Sequence, residues 1–250
     1  LKLVATTLVS RKARTLLTAL AIALSVSLVV AMTSGFKAFE SAATGYIDRF
    51  MGAVDATVSR TTDPSKGISG EVLRALREDR RVRVAFPRLE TDAPLPHNAT
   101  SNPMVPGRTS LTGVDRAIDP LLDWMPLEEG RWFDVNEAAA VIDVGLRDKG
   151  GLKIGDTLQI NGPNGQIKLP IVGVVRKPGP FAGWLQTAYV PLEQAQRFVF
   201  GAENNDRVSQ IRIQFEPNIV PNAFVMDWSD RLKTIDPLLR LKLTRTKREE

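Results

Sequence analysis

The sequence TLLTALAIALSVSLVVAMTSGF, residues 15–36, contains no charged residue and no proline. Leu, Ile and Val dominate it, and each adds about −0.3 to −0.6 kcal/mol to the free energy of membrane insertion. A helix of about 20 residues, at 1.5 Å rise per residue, crosses the ~30 Å hydrocarbon core of a bilayer. Residues 15–36 therefore predict a transmembrane helix, which ends at the charged Lys37.

Three positive charges lie close together on the N-terminal side of this segment. Arg11, Lys12 and Arg14 precede the segment, and residues 1–14 contain no acidic residue. Lys and Arg beside a membrane helix usually remain in the cytoplasm. We therefore expect a cytoplasmic leader at residues 1–14 and an extracytoplasmic domain that begins at residue 37.

Small residues recur every four positions inside the segment, at Ala19, Ala23, Ser27 and Ala31. Residues four apart are neighbours on a helix face, and small side chains let two membrane helices approach closely. We predict that this stripe packs on a neighbouring membrane helix. The alternative is that Ala and Ser are simply common in such helices.

The composition excludes several kinds of site. The 250 residues contain no Cys and a single His, which excludes disulfides, Cys nucleophiles, thiolate metal sites and sites with two imidazoles. Lys and Arg number 33 against 28 Asp and Glu, and four of the basic residues lie in the leader. Because the rest of the chain is close to neutral, we expect no binding to nucleic acid.

The chain after residue 37 predicts a mixed α/β domain from the periodicity of its apolar residues. The predicted strands are 55–59, 83–87, 139–144, 157–160, 166–175, 187–190 and 210–215; the predicted helices follow the cap Ser69 or span 192–200 and 220–232. Four prolines in 91–112 predict a loop or the entry to a subdomain, and NGPNG at 161–165 predicts a hairpin turn. We predict an α+β fold in which an inserted β-rich subdomain, all-β in its middle section, splits a mixed subdomain.

Residues 11–36 resemble the first membrane helix of FtsX-like, MacB-type ABC transporter permeases. Six later motifs follow the order of that family's periplasmic core domain: LTGVD at 111–115, EGR at 129–131, AVIDV at 140–144, GLKIGD at 151–156, IVGV at 171–174 and YVPL at 189–192. This order, behind a membrane helix of the right kind, makes the resemblance specific. Gly113, Gly130, Gly155 and Gly173 in these motifs are typical of positive φ or close backbone approach.

The resemblance implies a domain order. Its parts are the leader 1–14, the transmembrane helix 15–36, a stalk with the first part of a porter-like subdomain at 37–90, an inserted β-rich subdomain at 91–184, and the second porter-like part at 185–250. Permeases of this kind have four membrane helices, with the outer domain between the first and the second. We therefore expect this sequence to be a fragment that ends before a second membrane helix.

The resemblance also implies partners and a location. ATP would be bound by a separate ABC ATPase subunit, so we expect no cofactor in this chain. A second permease subunit, membrane lipid and an extracytoplasmic protein would be the other partners, at the inner membrane of a bacterium. The cargo does not follow from the sequence.

No sequence motif predicts catalysis, and we expect no enzymatic activity. A P-loop (G-x-x-x-x-G-K-[ST]) and a G-x-S-x-G elbow are both missing. His97 lies in PLPHNATSNP, which is typical of an exposed loop. Asp115, Asp119 and Asp123 are four residues apart and could line a helix face that holds a cation. Because Pro120 interrupts that helix, we expect a solvated acidic face instead.

Two aromatic residues stand in a Gly- and Pro-rich loop, KPGPFAGW at residues 177–184. Aromatic residues in an exposed loop often contact a partner. Phe181 and Trp184 are therefore candidates for partner contact. The alternative, which we favour, is that both fold back as a lid on the β-rich subdomain.

Three functions are compatible with this sequence. The first is a permease subunit of a MacB/FtsX-type ABC transporter. The second is a single-pass anchored domain that binds a partner outside the cytoplasm and has no transport role. The third is a secreted protein with a signal peptide cleaved near Ala43, which we disfavour because residues 15–36 exceed the ~7–15 apolar residues of such peptides.

Overall fold

The computed structural model describes residues 2–46, 54–63, 66–94, 108–135, 137–162, 164–177 and 186–244. The chain forms two units, Leu1–Gly45 and Tyr46–Glu250. The helices are α1 (Lys2–Tyr46), α2 (Gly70–Glu78), α3 (Val144–Gly150), α4 (Leu192–Phe200) and α5 (Pro221–Ile235). The strands are β1 (Ala56–Arg60), β2 (Val82–Pro94), β3 (Arg108–Val114), β4 (Leu127–Gly130), β5 (Ala140–Asp143), β6 (Thr157–Gly162), β7 (Gly165–Val175), β8 (Thr187–Pro191), β9 (Gln210–Phe215) and β10 (Leu239–Leu243).

Helix α1 is a single helix of 45 residues. At 1.5 Å per residue it is about 70 Å long, so it exceeds the thickness of a bilayer. Its stretch Leu16–Ser41 has a mean hydropathy of 2.3 and is long and apolar enough to cross a membrane. The predicted helix of membrane length is therefore confirmed, and the helix continues past Lys37 as far as Tyr46.

The second unit is built on one ten-stranded sheet. The strand order is β10-β1-β9-β2-β3-β8-β5-β7-β4, and β6 pairs with β7 outside this path. The pairs β3–β8 and β5–β7 are parallel, and the other pairs are antiparallel. Strand β9, from late in the chain, lies between β1 and β2, so β1 and β2 do not pair with each other.

The helices of this unit cover one face of the sheet. Helices α2 and α5 pack on the β10 side, where the buried residues include Val58, Ile211 and Trp228. Helices α3 and α4 pack on the same face further along, around Leu89 and Leu111. We call the opposite side the polar face, because Arg88, Glu90, Gln210 and Arg212 lie on it. Lys177, which follows β7, contacts Thr187 and Tyr189 on the same face.

Most predicted elements are confirmed, but two predictions are wrong and one strand was missed. Residues 91–112 are not one loop, because β2 continues to Pro94 and pairs with β3 from residue 108. The middle section is not all-β, because Asp143 caps α3 by accepting a hydrogen bond from the Leu146 backbone N–H (2.8 Å). Strand β10 was not predicted, although the alternation LRLKL at residues 239–243 is typical of a strand. The division at residues 91 and 184 stays a prediction, since strands from both sides join one sheet.

A charged cluster joins α2, β2 and α5 on the helical side. Arg81 Nη2 donates hydrogen bonds to Asp79 Oδ2 (2.7 Å) and to Asp227 Oδ2 (2.6 Å), and Trp228 Nε1 donates to Asp79 Oδ2 (2.8 Å). The hydrogen bond from the Arg81 guanidinium, helped by the one from Trp228, holds the pKa of Asp79 well below its usual range, although burial opposes this.

This lowered pKa predicts an acid-dependent loss of stability. The ionised Asp79 stabilises the fold above its unfolded pKa of ~3.9, and that contribution is lost as the pH falls toward the lower folded pKa. We expect the free energy of unfolding, measured with urea on the full chain in detergent, to decrease as the pH is lowered below about 5. Asp79→Asn is expected to make this decrease with pH smaller. Asp230→Asn, at an exposed position, is the control. If the free energy of unfolding changed with pH equally in Asp79→Asn and the wild type, the prediction would be contradicted.

Candidate functional site

Three hydroxyl groups in the membrane-length part of α1 donate hydrogen bonds to its own backbone. Thr18 Oγ1 donates a hydrogen bond to the Arg14 carbonyl (2.9 Å), Ser25 Oγ to the Ala21 carbonyl (2.8 Å) and Thr33 Oγ1 to the Val29 carbonyl (2.6 Å). An unpaired hydroxyl in hydrocarbon is costly, and a bond back to the preceding turn removes that cost. These polar residues are therefore compatible with a lipid environment.

The predicted packing stripe lies on α1 with every side chain exposed: Ala19, Ala23, Ser27 and Ala31. Each four-residue step advances about 40° beyond a full turn, so the stripe winds slowly around the helix. Ridges of this spacing pack into the grooves of a second helix at a crossing angle near −50°. The geometry suits the predicted close contact, and the neighbouring helix stays a prediction.

The predicted topology signal also lies on α1. Lys12 and Arg14 have exposed side chains. Arg11 belongs to the same helix, and its side chain lies outside the described residues. The cytoplasmic position of this end stays a prediction.

A buried ion pair anchors the polar face. Arg88 Nε donates a hydrogen bond to Asp119 Oδ2 (2.6 Å), and the side chains are 4% and 0% exposed. The other carboxylate oxygen of Asp119 accepts a hydrogen bond from the Leu121 backbone N–H (3.0 Å). This pair therefore ties the segment that follows β3 to the centre of β2.

A second ion pair crosses from β9 to β2 on the same face. Arg212 Nη2 donates a hydrogen bond to Glu90 Oε1 (2.9 Å), and Gln210 Nε2 donates to Glu90 Oε2 (3.2 Å). Burial, and the positive charge of Arg88 nearby, lower the pKa of Arg212, while Glu90 opposes the shift. The carboxylate thus joins two side chains of β9 to β2.

Lys177 extends the charged residues of the polar face toward β8 and β5. Lys177 Nζ donates a hydrogen bond to Thr187 Oγ1 (2.7 Å) and lies 5.8 Å from the centre of the Tyr189 ring. Burial lowers the pKa of Lys177, and the charges of Asp143 and Glu90 act against that shift. Burial also raises the pKa of Asp143, which the Leu146 N–H opposes. Charged groups therefore lie on or beside the strands from β9 to β5, and their contacts can hold these strands in register.

The acidic residues that we considered for a cation site do not converge. Asp119 pairs with Arg88, Asp123 with Arg116 (3.0 Å), and Asp115 accepts a hydrogen bond from the Ala117 N–H (3.0 Å). The expected solvated acidic face is therefore wrong at Asp119, which is 2% exposed. In the part of the chain that the structure describes, no group of three or more His, Asp or Glu is arranged to hold a metal ion.

The remaining predicted contact residues, Phe181 and Trp184, lie outside the described residues, as does His97. Their roles stay predictions. The polar-face residues Arg88, Arg212 and Lys177 were missed at the level of sequence. The alternation of charged and apolar residues in β2 and β9 is the signal that could have placed Arg88 and Arg212 on the face opposite the helices.

An apolar helix of membrane length followed by a sheet-rich α/β domain defines a class of membrane-anchored proteins with a large folded domain. Within that class, the chain belongs to the family of MacB-like periplasmic core domains, which it matches over residues 15–230. The predicted α+β fold and the resemblance to MacB-type ABC transporter permeases are thereby confirmed.

Two solved structures share this fold. The periplasmic region of MacB from Actinobacillus actinomycetemcomitans is 12% identical, with a TM-score of 0.55 over 79% of this chain and 92% of that chain. The extracellular domain of the ABC-type transporter YknZ from Gram-positive bacteria is 14% identical, with a TM-score of 0.54 over 76% of this chain and 99% of that chain. No curated protein matches the sequence.

Proposed function

We propose that this chain is the first membrane helix and the outer domain of an ABC transporter permease. The permease couples ATP hydrolysis by a separate cytoplasmic subunit to work outside the membrane. The observation that carries the proposal is the extent of the family match, since residues 15–230 include both the apolar part of α1 and the sheet. A match that begins inside the membrane helix favours a helix that works with the outer domain over one that only anchors it.

The proposed mechanism gives each of the two units a role. The chain's N-terminus lies in the cytoplasm of a bacterium and α1 crosses its inner membrane, where a second permease subunit pairs with this one. ATP binding by the partner ATPase shifts the membrane helices and moves the outer domain. The ion pairs across the polar face hold its strands in register under load, because charge-assisted hydrogen bonds are lost when strands slide. The work outside is export, lipoprotein release or action on an extracytoplasmic partner.

The test uses the complete gene product purified from its native membranes. We expect an ABC ATPase subunit to co-purify with it and to hydrolyse ATP in a vanadate-sensitive way. We also expect the reading frame to encode three further apolar segments of about 20 residues after residue 250. The proposal is contradicted if the reading frame stops soon after residue 250, or if the purified preparation does not hydrolyse ATP. Either result would favour a single-pass anchored binding domain.

The small-residue stripe provides a test inside the membrane. Leucine at position 23 would hold a neighbouring helix away, so Ala23→Leu is expected to reduce the recovered permease–permease complex about tenfold. The measurement is Förster transfer between labelled subunits in lipid nanodiscs. Ala21→Leu makes the same change on another side of α1 and serves as the matched control. If both variants assemble like the wild type, the stripe is not a packing surface.

A further inference from the structure

Strand β10 is the last strand at one end of the sheet. It pairs with β1 in an unbroken register from Ala56↔Leu243 to Arg60↔Leu239. Within the described parts of the chain, no strand pairs with its other side. A sheet edge of this kind can accept an extended segment of another protein as an added strand.

The hydrogen bonds to β1 show which backbone groups of β10 face the open edge. Beyond its two ends, the Thr61 N–H donates to the Leu238 carbonyl (3.0 Å), and the Thr244 N–H donates to the Asp55 carbonyl (2.8 Å). Bonded pairs alternate along an antiparallel ladder. Arg240 and Lys242 therefore direct their N–H and C=O groups toward β1. The C=O groups of Leu239, Leu241 and Leu243 and the N–H groups of Leu241 and Leu243 point away from β1, to the open edge. The Leu239 N–H donates instead to the Asp236 carbonyl (3.1 Å).

The two faces of β10 differ in chemistry. The side chains of Leu239 and Leu241 are buried on the helical face, in the cluster that contains Trp228. Arg240 and Lys242 are exposed on the polar face. Residues directly opposite on paired strands interact, and opposite charges there are favourable. A strand that suits this edge therefore alternates apolar residues with Asp or Glu.

A second copy of this chain does not have that pattern. Antiparallel pairing of two β10 strands about Leu241 would place Arg240 opposite Lys242 of the other copy, and like charges at directly opposed positions are destabilising. The acidic strand at the other end of the sheet is β4, with Glu128 and Glu129.

Those two carboxylates already have partners within this chain. Arg147 Nη1 lies 2.6 Å from Glu129 Oε1 and 3.3 Å from Glu128 Oε2, and Arg176 also pairs with Glu128. Pairing of β4 with β10 between copies would therefore compete with existing ion pairs. The charges favour a different protein as the occupant of the edge.

We propose that the open edge of β10 binds an extended segment of a partner protein by strand addition, and that the segment alternates apolar residues with Asp or Glu. The edge carries no proline and no bulge, two devices that proteins use to prevent such pairing. Its charged residues, Arg240 and Lys242, disfavour a basic strand and favour an acidic one. This inference does not depend on the coupling to an ATPase.

The test uses the full chain in nanodiscs of zwitterionic lipid. The probe is a fluorescent six-residue peptide that alternates Val and Glu, and a peptide that alternates Val and Lys is its counterpart. We expect saturable binding of the acidic peptide, and about tenfold weaker binding of the basic one. The double variant Arg240→Glu/Lys242→Glu is expected to reverse this preference. Lys153→Glu/Lys168→Glu, which changes the net charge equally at exposed positions, is expected to keep it.

Hydrogen exchange separates strand addition from simple charge attraction. The bound peptide is expected to slow exchange of the Leu241 and Leu243 amides, which face the open edge. The Arg240 and Lys242 amides should not change, because they are already bonded to β1. The proposal is overturned if no peptide binds saturably, if binding leaves the Leu241 and Leu243 amides unprotected, or if Arg240→Glu/Lys242→Glu binds the acidic peptide like the wild type.

Discussion

Arg88→Ala is expected to lower the free energy of unfolding by about 3–5 kcal/mol, because it leaves the buried carboxylate of Asp119 without its cation. Asp119 has no exposed side-chain surface, and its nearest charge is the Arg88 guanidinium at 2.6 Å. The change also frees the segment after β3, whose Leu121 and Leu122 are fully buried. The measurement is urea unfolding of the full chain in detergent, followed by near-UV circular dichroism.

Two variants control this experiment. Arg197→Ala removes an exposed pair with Glu193 on α4 and is expected to cost less than about 1 kcal/mol. Arg88→Met/Asp119→Leu replaces both buried charges with apolar side chains, and it should recover much of the loss, since such replacements are often close to neutral. If Arg88→Ala were as stable as Arg197→Ala, the pair would not anchor the polar face.

Gly173→Ala is expected to destabilise the domain by about 3 kcal/mol through a backbone collision. Gly173 of β7 pairs with Gly130 of β4, and a Cβ at position 173 would lie 2.1 Å from the Arg131 carbonyl oxygen. The colliding atoms are backbone, so no side chain can rotate away. We expect β4 to separate from β7, seen as faster hydrogen exchange of the Arg131 amide, which donates to the Val172 carbonyl (3.0 Å).

The matched control lies on the same strand. Lys168→Ala truncates an exposed side chain of β7 and is expected to change the free energy of unfolding by less than about 0.5 kcal/mol. Equal stability of Gly173→Ala and Lys168→Ala would show that β4 can move aside at no cost. Their difference therefore measures how tightly the β4 edge is held.

Local sequence patterns predict much of the secondary structure of this protein. The apolar run at residues 15–36 predicts a helix of membrane length, because hydrocarbon thickness and helix rise set the number of apolar residues required. The alternation QIRIQF predicts β9 with the bounds that the structure shows. The cap Ser69 predicts α2, and its side chain accepts a hydrogen bond from the Glu71 N–H (3.3 Å). These signals are local, so they can be read from neighbouring residues.

Parts of the candidate site could also be predicted from short stretches of the sequence. The stripe from Ala19 to Ala31 and the leader charges are linear patterns along one helix. The polar face is different, because its pairs join residues far apart in the chain. Asp119 lies 31 positions from Arg88, and Glu90 lies 122 positions from Arg212.

The sequence by itself determined the membrane-length helix, most of the strands and which residues of each strand share a face. Tertiary structure alone decided that β9 inserts between β1 and β2, that Asp119 is buried, and that β10 forms an edge. Periodicity reports only which side of an element a residue occupies. Strand order and ion-pair partners depend on which distant segments pack together, and that choice is made by the core as a whole.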